Sequence, residues 1–276
     1  MRENTENTEL RLLGPLELRR SGVVISLGGE KQQILLAYLC LNANRQVSIT
    51  GLVEAIWGES PPLSAKKNVQ LYVSRLRRLI AGTKEVRLVT AADGYLISIT
   101  PDQLDVERCQ RLLQRARLCL QRCASEQACA LFGEALQLWR GRPLSGLSQT
   151  SVMQAEIARL EQLRLALLTD YYEAELAVGR YAGAIPDLVR LVALHPHQER
   201  LRGHLMMALW RSGQRETALA TYRQVYRLMA DELGIEPSRP LQLLHQAVLA
   251  DDIEAGSNSY SQWISSPERG DIVSDG

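Results

Sequence analysis

The sequence predicts an α+β N-terminal unit followed by an all-α unit, and three observations lead to this prediction. Apolar residues alternate with period two near residue 17, as they do in half-buried strands, and a turn at residues 92–94 separates two short apolar stretches. Between these stretches, and throughout residues 105–251, apolar residues recur at the spacing of amphipathic helices. The chain has 276 residues, which is long enough for two domains.

The first unit is predicted to open with strands over residues 10–25. Within this stretch residues 16–19 alternate between apolar and polar side chains, and a Ser-Gly turn follows them. A glycine pair then breaks the pattern. Helical spacing begins at Glu30 and ends at residues 42–44, which predicts the first helix.

Two more helices and a hairpin complete the first unit. The second helix is expected over residues 50–57, with Thr50 as its N-cap, and the third over residues 64–80, after a proline pair. A turn at residues 92–94 joins the strands of a closing hairpin. Strands, three helices and a hairpin in this order are typical of a winged helix-turn-helix domain, which we predict for residues 10–101.

The helical unit is predicted for residues 102–251, with glycine or proline breaks at residues 141–143, 179, 195–196, 213 and 234–237. It contains a repeat of 34 residues. This period indicates tetratricopeptide-like stacking of helix pairs, an arrangement that presents a concave surface to a partner. A plain helix bundle with coincidental spacing is the weaker alternative. The residues that repeat are Gly179 and Gly213, Ala184 and Ala218, Ile185 and Leu219, Ala174 and Ala208, and Leu167 and Leu201.

The composition gives no sign of a membrane or secreted protein. The formal net charge is +1, so only a local cluster of charge predicts a polyanionic partner. No apolar stretch approaches the ~20 residues that span a bilayer, and the acidic residues 1–9 do not resemble a secretion signal. We expect a cytoplasmic protein with no membrane partner, with disordered ends at residues 1–9 and 252–276.

No pattern in the sequence predicts catalysis, a metal site or a cofactor. The glycines before Lys31 lack the spacing of a phosphate-binding loop, and the histidines lack the spacing of a helical zinc pair. The cysteines include no Cys-x-x-Cys pair, so reduced, buried thiols are favoured over metal binding or redox sensing. We therefore predict a protein that is not an enzyme, with no catalytic residues, metal or cofactor.

The third predicted helix separates into an apolar face and a basic face. Its window, residues 64–79, contains five lysine or arginine residues and no acidic residue. Such long donors suit phosphates and guanine edges, and an amide can pair with adenine. The apolar face contains Ala65, Val69, Val73, Leu76 and Ile80, with Tyr72 and Leu79 at its edge. The opposite face contains Lys67, Gln70, Leu71, Ser74, Arg75 and Arg78, flanked by Lys66, Asn68 and Arg77.

The position of this helix before a hairpin is where winged helices place the element that enters a DNA groove. We therefore interpret its basic face as a candidate DNA-reading surface, in which Leu71 is suited to a thymine methyl group. Arg87 and Thr90 on the hairpin are candidate contacts to a neighbouring phosphate or to the minor groove. A solvated basic face without a partner is the alternative.

Several motifs resemble the Streptomyces antibiotic regulatory protein (SARP) family, over about residues 10–250. Its OmpR-type winged helix is similar to this chain at residues 27–29, 52–58, 72–78 and 94–95. Its bacterial transcriptional activation domain is similar at residues 138–144, 179–180, 199–202, 205–213 and 231–237. The chain ends without an ATPase domain, so it resembles the small, stand-alone members.

The resemblance implies a transcriptional activator of antibiotic or other secondary-metabolite genes. Such a protein would bind direct repeats in double-stranded DNA near the −35 region of a promoter, as side-by-side protomers, and would recruit RNA polymerase. By analogy, the basic face of the third helix would read DNA. The loop before that helix would touch the sigma subunit; its residues are Gly58, Glu59, Ser60, Pro61, Pro62 and Leu63.

Two other functions remain open from the sequence. One is a ligand-responsive regulator, in which the helical unit binds a small molecule that controls the affinity for DNA. The other is a tetratricopeptide-like adaptor, whose winged helix makes protein contacts only and has no specific affinity for DNA.

Overall fold

The first strands of the chain form a three-stranded antiparallel sheet. The computed structural model describes residues 8–81, 85–147, 149–252 and 254. The sheet consists of β1 (Thr8–Arg11), β2 (Glu17–Arg20) and β3 (Val23–Ile25), in this order. Leu10 and Leu18 face each other across the first strand pair and are both buried, which gives the sheet an apolar face.

The first strand begins earlier than the sequence predicts. Disorder was expected over residues 1–9, but the last two of them belong to β1, where Thr8 pairs with Arg20. The pairing gives these backbone groups hydrogen-bond partners, so the prediction is wrong for them. Residues 1–7 lie outside the described residues, as does almost all of the stretch 252–276 for which disorder was also predicted.

The predicted winged helix-turn-helix follows. Its elements are α1 (Glu30–Leu41), β4 (Val47–Ser48), α2 (Ile49–Trp57), α3 (Ala65–Ile80), β5 (Arg87–Ala91) and β6 (Gly94–Ser98). The second sheet has the order β4-β6-β5, so the hairpin adds to β4 through its second strand. Helix α2 starts one residue before the predicted position. Ser48, and not Thr50, is its N-cap, and the Ser48 hydroxyl accepts the backbone N–H of Gly51 at 3.0 Å.

Gly94 determines how closely β4 and β6 approach each other. It pairs with Ser48, and a Cβ atom at this position would stand 1.9 Å from the carbonyl oxygen of Val47. A side chain would therefore collide with backbone, which cannot rotate away. The backbone carbonyl of Asp93 accepts the N–H of Ile49 at 3.0 Å and so ties the tip of the hairpin to the start of α2.

Helices account for the rest of the described chain, after a short 3-10 helix at Pro101–Gln103. They are α4 (Asp105–Gln121), α5 (Ser125–Gln137), α6 (Ser151–Ala177), α7 (Tyr181–Leu194), α8 (Glu199–Arg211), α9 (Arg215–Leu233) and α10 (Arg239–Ala250). The predicted glycine and proline breaks are confirmed. None of the described helices is long and apolar enough to cross a bilayer.

One break in the helical part was not predicted. Helix α4 ends at Gln121, and Cys123 lies in the following turn with a left-handed φ of 56°. Cys123 is exposed, so the prediction of buried thiols is wrong for it, because it lies beyond the end of the helix that carries Cys119. Cys109 is buried, and burial raises the pKa of its thiol to about 11.

The repeat of 34 residues corresponds to two helix pairs, the C-terminal part of α6 with α7, and α8 with α9. Gly179 and Gly213 end the first helix of each pair with φ values of 82° and 79°, in the left-handed region that favours glycine. The other repeated residues match in burial as well. Leu167, Leu201, Ala174, Ala208, Ala184 and Ala218 are buried, whereas Ile185 and Leu219 are half-buried.

The chain divides into two compact units, and the division differs from the predicted boundary at residue 101. The first unit extends to Arg122 and includes Ala130–Leu168; the second contains Cys123–Cys129 and the chain from Thr169 onwards. Helix α4 belongs to the first unit because its buried first residue, Asp105, accepts backbone N–H groups from the chain after β1.

In the second unit, α8 is buried on all sides. Its residues from Leu201 to Trp210 are all buried, including Arg202 and His204. The guanidinium of Arg202 donates from Nε to the carbonyl of Pro196 at 2.9 Å, which gives this buried charge a partner. This helix is therefore the centre of the unit.

Candidate nucleic-acid interface

The two faces of α3 are distributed as the sequence predicts. The five residues expected to be buried are buried, and Tyr72 and Leu79 at the edge are half-buried. Of the nine predicted DNA-binding residues on this helix, Asn68 is half-buried. The others are exposed: Lys66, Lys67, Gln70, Leu71, Ser74, Arg75, Arg77 and Arg78.

Leu71 lies in the middle of the exposed face, with 46% of its surface accessible. An isolated exposed leucine is common on protein surfaces. Here its neighbours Lys67, Ser74 and Arg75 are polar or basic, so the face combines long donors with one apolar contact point. Such a surface is suited to the major groove, in which donors, acceptors and thymine methyl groups lie side by side.

The C-terminal end of α3 is fixed by Arg20, a residue of β2. Its Nη2 donates to the carbonyl oxygens of Leu79 at 2.6 Å and of Ala81 at 3.2 Å. The last carbonyls of a helix have no partner within the helix, and a guanidinium satisfies them while opposing the negative end of the helix dipole. Arg20 therefore links the first sheet to the C-terminal end of α3.

The middle of α3 is held by aromatic packing. The ring of Tyr72 stacks on that of Trp57, the last residue of α2, with centroids 6.3 Å apart. On α1, the ammonium of Lys31 stands 5.2 Å from the centre of the Trp57 ring. These contacts couple the three helices to one another.

The hairpin is attached to α3 through Arg77. Its Nε donates to the carbonyl of Leu88 at 3.0 Å, and its Nη2 donates to the hydroxyl of Thr90 at 2.6 Å. The guanidinium also lies 5.9 Å from the centre of the Tyr95 ring. Two predicted DNA contacts, Arg77 and Thr90, thus contact each other, whereas Arg87 is exposed at the start of β5.

The predicted polymerase-contact loop starts from a fixed point. Gly58 has a φ of 63° and is half-buried beside Thr150, which precedes α6. The hydroxyl of Thr150 donates to the carbonyl of Ala55 at 2.9 Å and accepts the N–H of Met153 at 3.3 Å. The rest of the loop is exposed, and Leu63 is fully exposed at its end.

Sequence reasoning missed the residues that support the interface. Arg20 lies 59 residues from its partner Leu79, and Thr150 lies 95 residues from Ala55. Neither position belongs to a local motif, so no signal in the sequence identified them. Among the described residues, no group of three or more histidine, cysteine or acidic side chains is placed to hold a metal ion.

Two family models match the chain. Residues 24–96 match the family described as transcriptional regulatory protein, C terminal, and residues 104–249 match the bacterial transcriptional activator domain. The first match contains the helices and most of the hairpin of the winged helix, and the second contains α4 to α9 together with all of α10 except its last residue.

The chain is similar to curated regulators from Streptomyces. It is 34% identical over 252 residues to the regulatory protein DnrI of Streptomyces peucetius, which covers 88% of this chain and 93% of that protein. It is 38% identical over 256 residues to the regulatory protein AfsR of Streptomyces coelicolor, covering 91% of this chain but 25% of the relative. The similarity therefore spans nearly all of one relative and a quarter of the other.

A solved structure of the same fold is that of Mycobacterium tuberculosis EmbR in complex with a low-affinity phosphopeptide. The TM-score is 0.87 at 30% sequence identity, and the superposition covers 94% of this chain and 69% of the other. The winged helix and the helical unit that follows it are therefore arranged in the same order in a solved protein.

Proposed function

This chain belongs to the Streptomyces antibiotic regulatory protein family of transcriptional activators, and we propose that it binds promoter DNA through α3 and the β5–β6 hairpin. The helix would enter the major groove with Lys67, Gln70, Leu71, Ser74, Arg75 and Arg78. Lys66, Asn68 and the hairpin would contact the backbone around it.

The observation that carries this proposal is the composition of the exposed face of α3. The helix has five basic and no acidic side chains, in a protein with a net charge of only +1. Positive charge is thus concentrated where a winged helix meets DNA, which supports phosphate neutralisation by this face.

The placement of Lys66 and Lys67 gives further support. Both stand in the first turn of α3, which contains no acidic residue. A helix N-terminus has a positive partial charge, so two lysines there destabilise the free helix slightly. A phosphate at this end would be attracted by the lysines and by the first backbone N–H groups of the helix. DNA binding would thus relieve the repulsion between the lysines and the helix N-terminus.

The polymerase-contact loop is the second part of the proposal. Glu59 to Leu63 are exposed, and two prolines restrict the backbone, so the loop loses little conformational entropy when a partner binds. The Thr150 hydrogen bond to Ala55 anchors the start of the loop. We propose that RNA polymerase buries the side chain of Leu63, with the sigma subunit as the expected contact.

The finer points of the proposal rest on the family. They are binding to direct repeats near the −35 region, side-by-side association of protomers on DNA, and target genes for antibiotic or other secondary-metabolite synthesis. The Streptomyces source of two relatives supports the last point. Direct repeats favour head-to-tail protomers over a two-fold dimer, because each protomer then meets the same sequence in the same orientation.

The ligand-responsive alternative places a small molecule in the helical unit, where a cavity of about 440 Å³ is lined by Trp210, Gly213 and the charged side chains of Arg211, Arg215 and Asp251. Another cavity lies in the first unit. This cavity has a volume of about 100 Å³ and is lined by charged side chains, among them Arg11, Asp105 and Arg140. Pockets for drug-sized ligands are roughly 300–1,000 Å³ and mostly apolar. The cavity in the helical unit is therefore large enough but has a mostly charged lining, and the cavity in the first unit is too small, so neither supports a drug-sized metabolite.

The deciding experiment is fluorescence anisotropy of the full chain on labelled promoter fragments and on random DNA, at several salt concentrations. We expect affinity that falls steeply with salt and prefers some fragments by ~10³-fold or more. Weak binding without preference would favour the adaptor function instead. A change in affinity on addition of one member of a metabolite panel would favour the ligand-responsive regulator.

A further inference from the structure

Arg77 differs from the other basic residues of α3 because its hydrogen bonds are directed into the protein. The guanidinium donates to the Leu88 carbonyl and to the Thr90 hydroxyl, both on β5, and it lies against the ring of Tyr95 on β6. The side chains of Arg75 and Arg78 make no hydrogen bond or ion pair within the part of the chain that the structure describes.

The strand that Arg77 contacts is an edge strand. The sheet order β4-β6-β5 leaves one side of β5 without a neighbouring strand among the described residues. Every second residue of such a strand directs its N–H and C=O away from its partner. The Nε of Arg77 satisfies the Leu88 carbonyl on this open side, so α3 supplies a hydrogen bond that another strand would otherwise make.

We infer that Arg77 is a positioning residue, which holds the hairpin at a fixed distance from α3 and does not read bases. The inference rests on the proposed DNA-binding function. Its planar guanidinium bridges Leu88 and Thr90, two residues apart on one strand, so the angle of the hairpin is fixed together with its distance. A DNA phosphate beside the hairpin would then meet Arg87 at a preset distance from the groove-reading face of α3.

The Arg77→Lys variant separates the effect of the positive charge from the effect of the guanidinium geometry. Lysine keeps the charge that a phosphate contact requires, but its single ammonium cannot reproduce the fork that Nε and Nη2 form. A phosphate contact would therefore tolerate this change, whereas a bridge between helix and hairpin would not. Arg45→Lys is the matched control, because Arg45 is exposed, has the same charge and lies in the same domain outside the proposed DNA-binding surface.

We expect Arg77→Lys and Arg77→Ala to weaken binding by a similar factor, about tenfold, on promoter and random DNA alike. Arg45→Lys should stay close to the wild-type affinity. Thr90→Val removes one acceptor without changing the size of the side chain and should weaken binding by a smaller factor. Added to Arg77→Lys, it should have no further effect, because both changes break the same contact.

Hydrogen exchange gives a readout that does not depend on DNA. Amides of β5 should exchange faster in Arg77→Lys than in Arg45→Lys, while those of α1 remain protected in both and show that the domain is folded. Wild-type affinity and exchange in Arg77→Lys, with a salt slope reduced by about one only in Arg77→Ala, would overturn the inference and make Arg77 a phosphate contact. Failure of the wild-type chain to bind DNA would instead overturn the proposed function.

Discussion

Leu12 donates its backbone N–H to both carboxylate oxygens of Asp105, at 2.8 and 2.9 Å. The N–H of Leu13 donates to the same carboxylate at 2.9 Å. One side chain at the start of α4 thus satisfies two consecutive amides of the chain that leaves β1. Burial outweighs these hydrogen bonds and the charge of Arg140, and it raises the pKa of Asp105 to about 6.

This pKa predicts that acidification stabilises the first unit through Asp105. Between the ordinary value of 3.8 and about 6, the folded state binds the proton more tightly than the unfolded state. The free energy of unfolding should therefore rise by about 1 kcal/mol from this group as the pH falls from 7 to 5. Hydrogen exchange of the β1 and β2 amides, corrected for intrinsic rates, measures this change in the free energy of unfolding.

The Asp105→Asn variant should lose this increment, because an amide does not titrate. Asp102→Asn is the control, since its carboxylate is exposed and bonded to Arg111. An increment of the same size in Asp105→Asn and in the wild type would show that another group causes it.

His204 predicts the opposite pH response in the second unit. Burial, with a smaller contribution from Arg200, lowers its pKa to about 3, so the folded state holds it neutral. The unfolded chain binds the proton more readily between about 3 and 6.5, and the unit should lose about 2 kcal/mol from this group between pH 7 and pH 5. Exchange of α8 amides should report this loss, which His204→Gln should remove and His197→Gln, at an exposed position, should not.

Gly94→Ala should destabilise the winged helix by about 3 kcal/mol or more. The added Cβ would stand 1.9 Å from the Val47 carbonyl oxygen, so β4 and β6 would have to separate. The control is Gly29→Ala, because a Cβ at this position meets no atom within 4 Å and φ is −69°. Chemical denaturation measures the free energy of unfolding of both variants. Equal stabilities would show that the sheet can widen at little cost.

Arg75→Ala should cost ~1–3 kcal/mol of DNA binding and relax the preference at one base pair, if Arg75 contacts a base edge. Lys66→Ala should weaken binding to all sequences alike and reduce the salt slope by about one, as expected for a phosphate contact. Binding titrations on a library of single base-pair changes distinguish the two patterns. Wild-type behaviour of both variants would exclude the exposed face of α3 as the DNA-reading surface.

Leu63→Ser should separate activation from DNA binding. A leucine side chain that is fully exposed in the free protein contributes about 2 kcal/mol when a partner buries it. Transcription at limiting RNA polymerase should fall by roughly thirtyfold while the affinity for DNA stays constant. Leu194→Ser, which removes an exposed leucine of α7, is the control. Unchanged transcription in the Leu63 variant would exclude the loop as the contact.

Local features of this protein could be predicted from the sequence, and features that depend on distant partners could not. The burial pattern of α3 follows from helical spacing, which places Val69, Val73 and Leu76 on one side. The N-cap of α2 was assigned two residues too late because Ser48 and Thr50 are both capable of capping. Only the backbone, which turns after Ser48, decides between them.

The supports of the candidate site lie beyond the range of any local pattern. Arg77 looks like one more basic residue of the exposed face, because its partners on β5 are 11 and 13 residues away and depend on how the hairpin packs. Asp105 reads as an ordinary acidic residue at a helix start, although the amides that it binds are 92 and 93 residues earlier. Such contacts arise from the folded arrangement and have no counterpart in composition.

Helix α8 limits what sequence similarity to relatives can reveal about the partners of this protein. It has ten consecutive buried residues, from Leu201 to Trp210, and therefore offers no free face to other molecules. Its neighbours in the fold restrict its sequence, whatever the protein binds. Similarity over this segment therefore indicates a shared fold and does not identify a shared partner, because a partner contacts exposed residues.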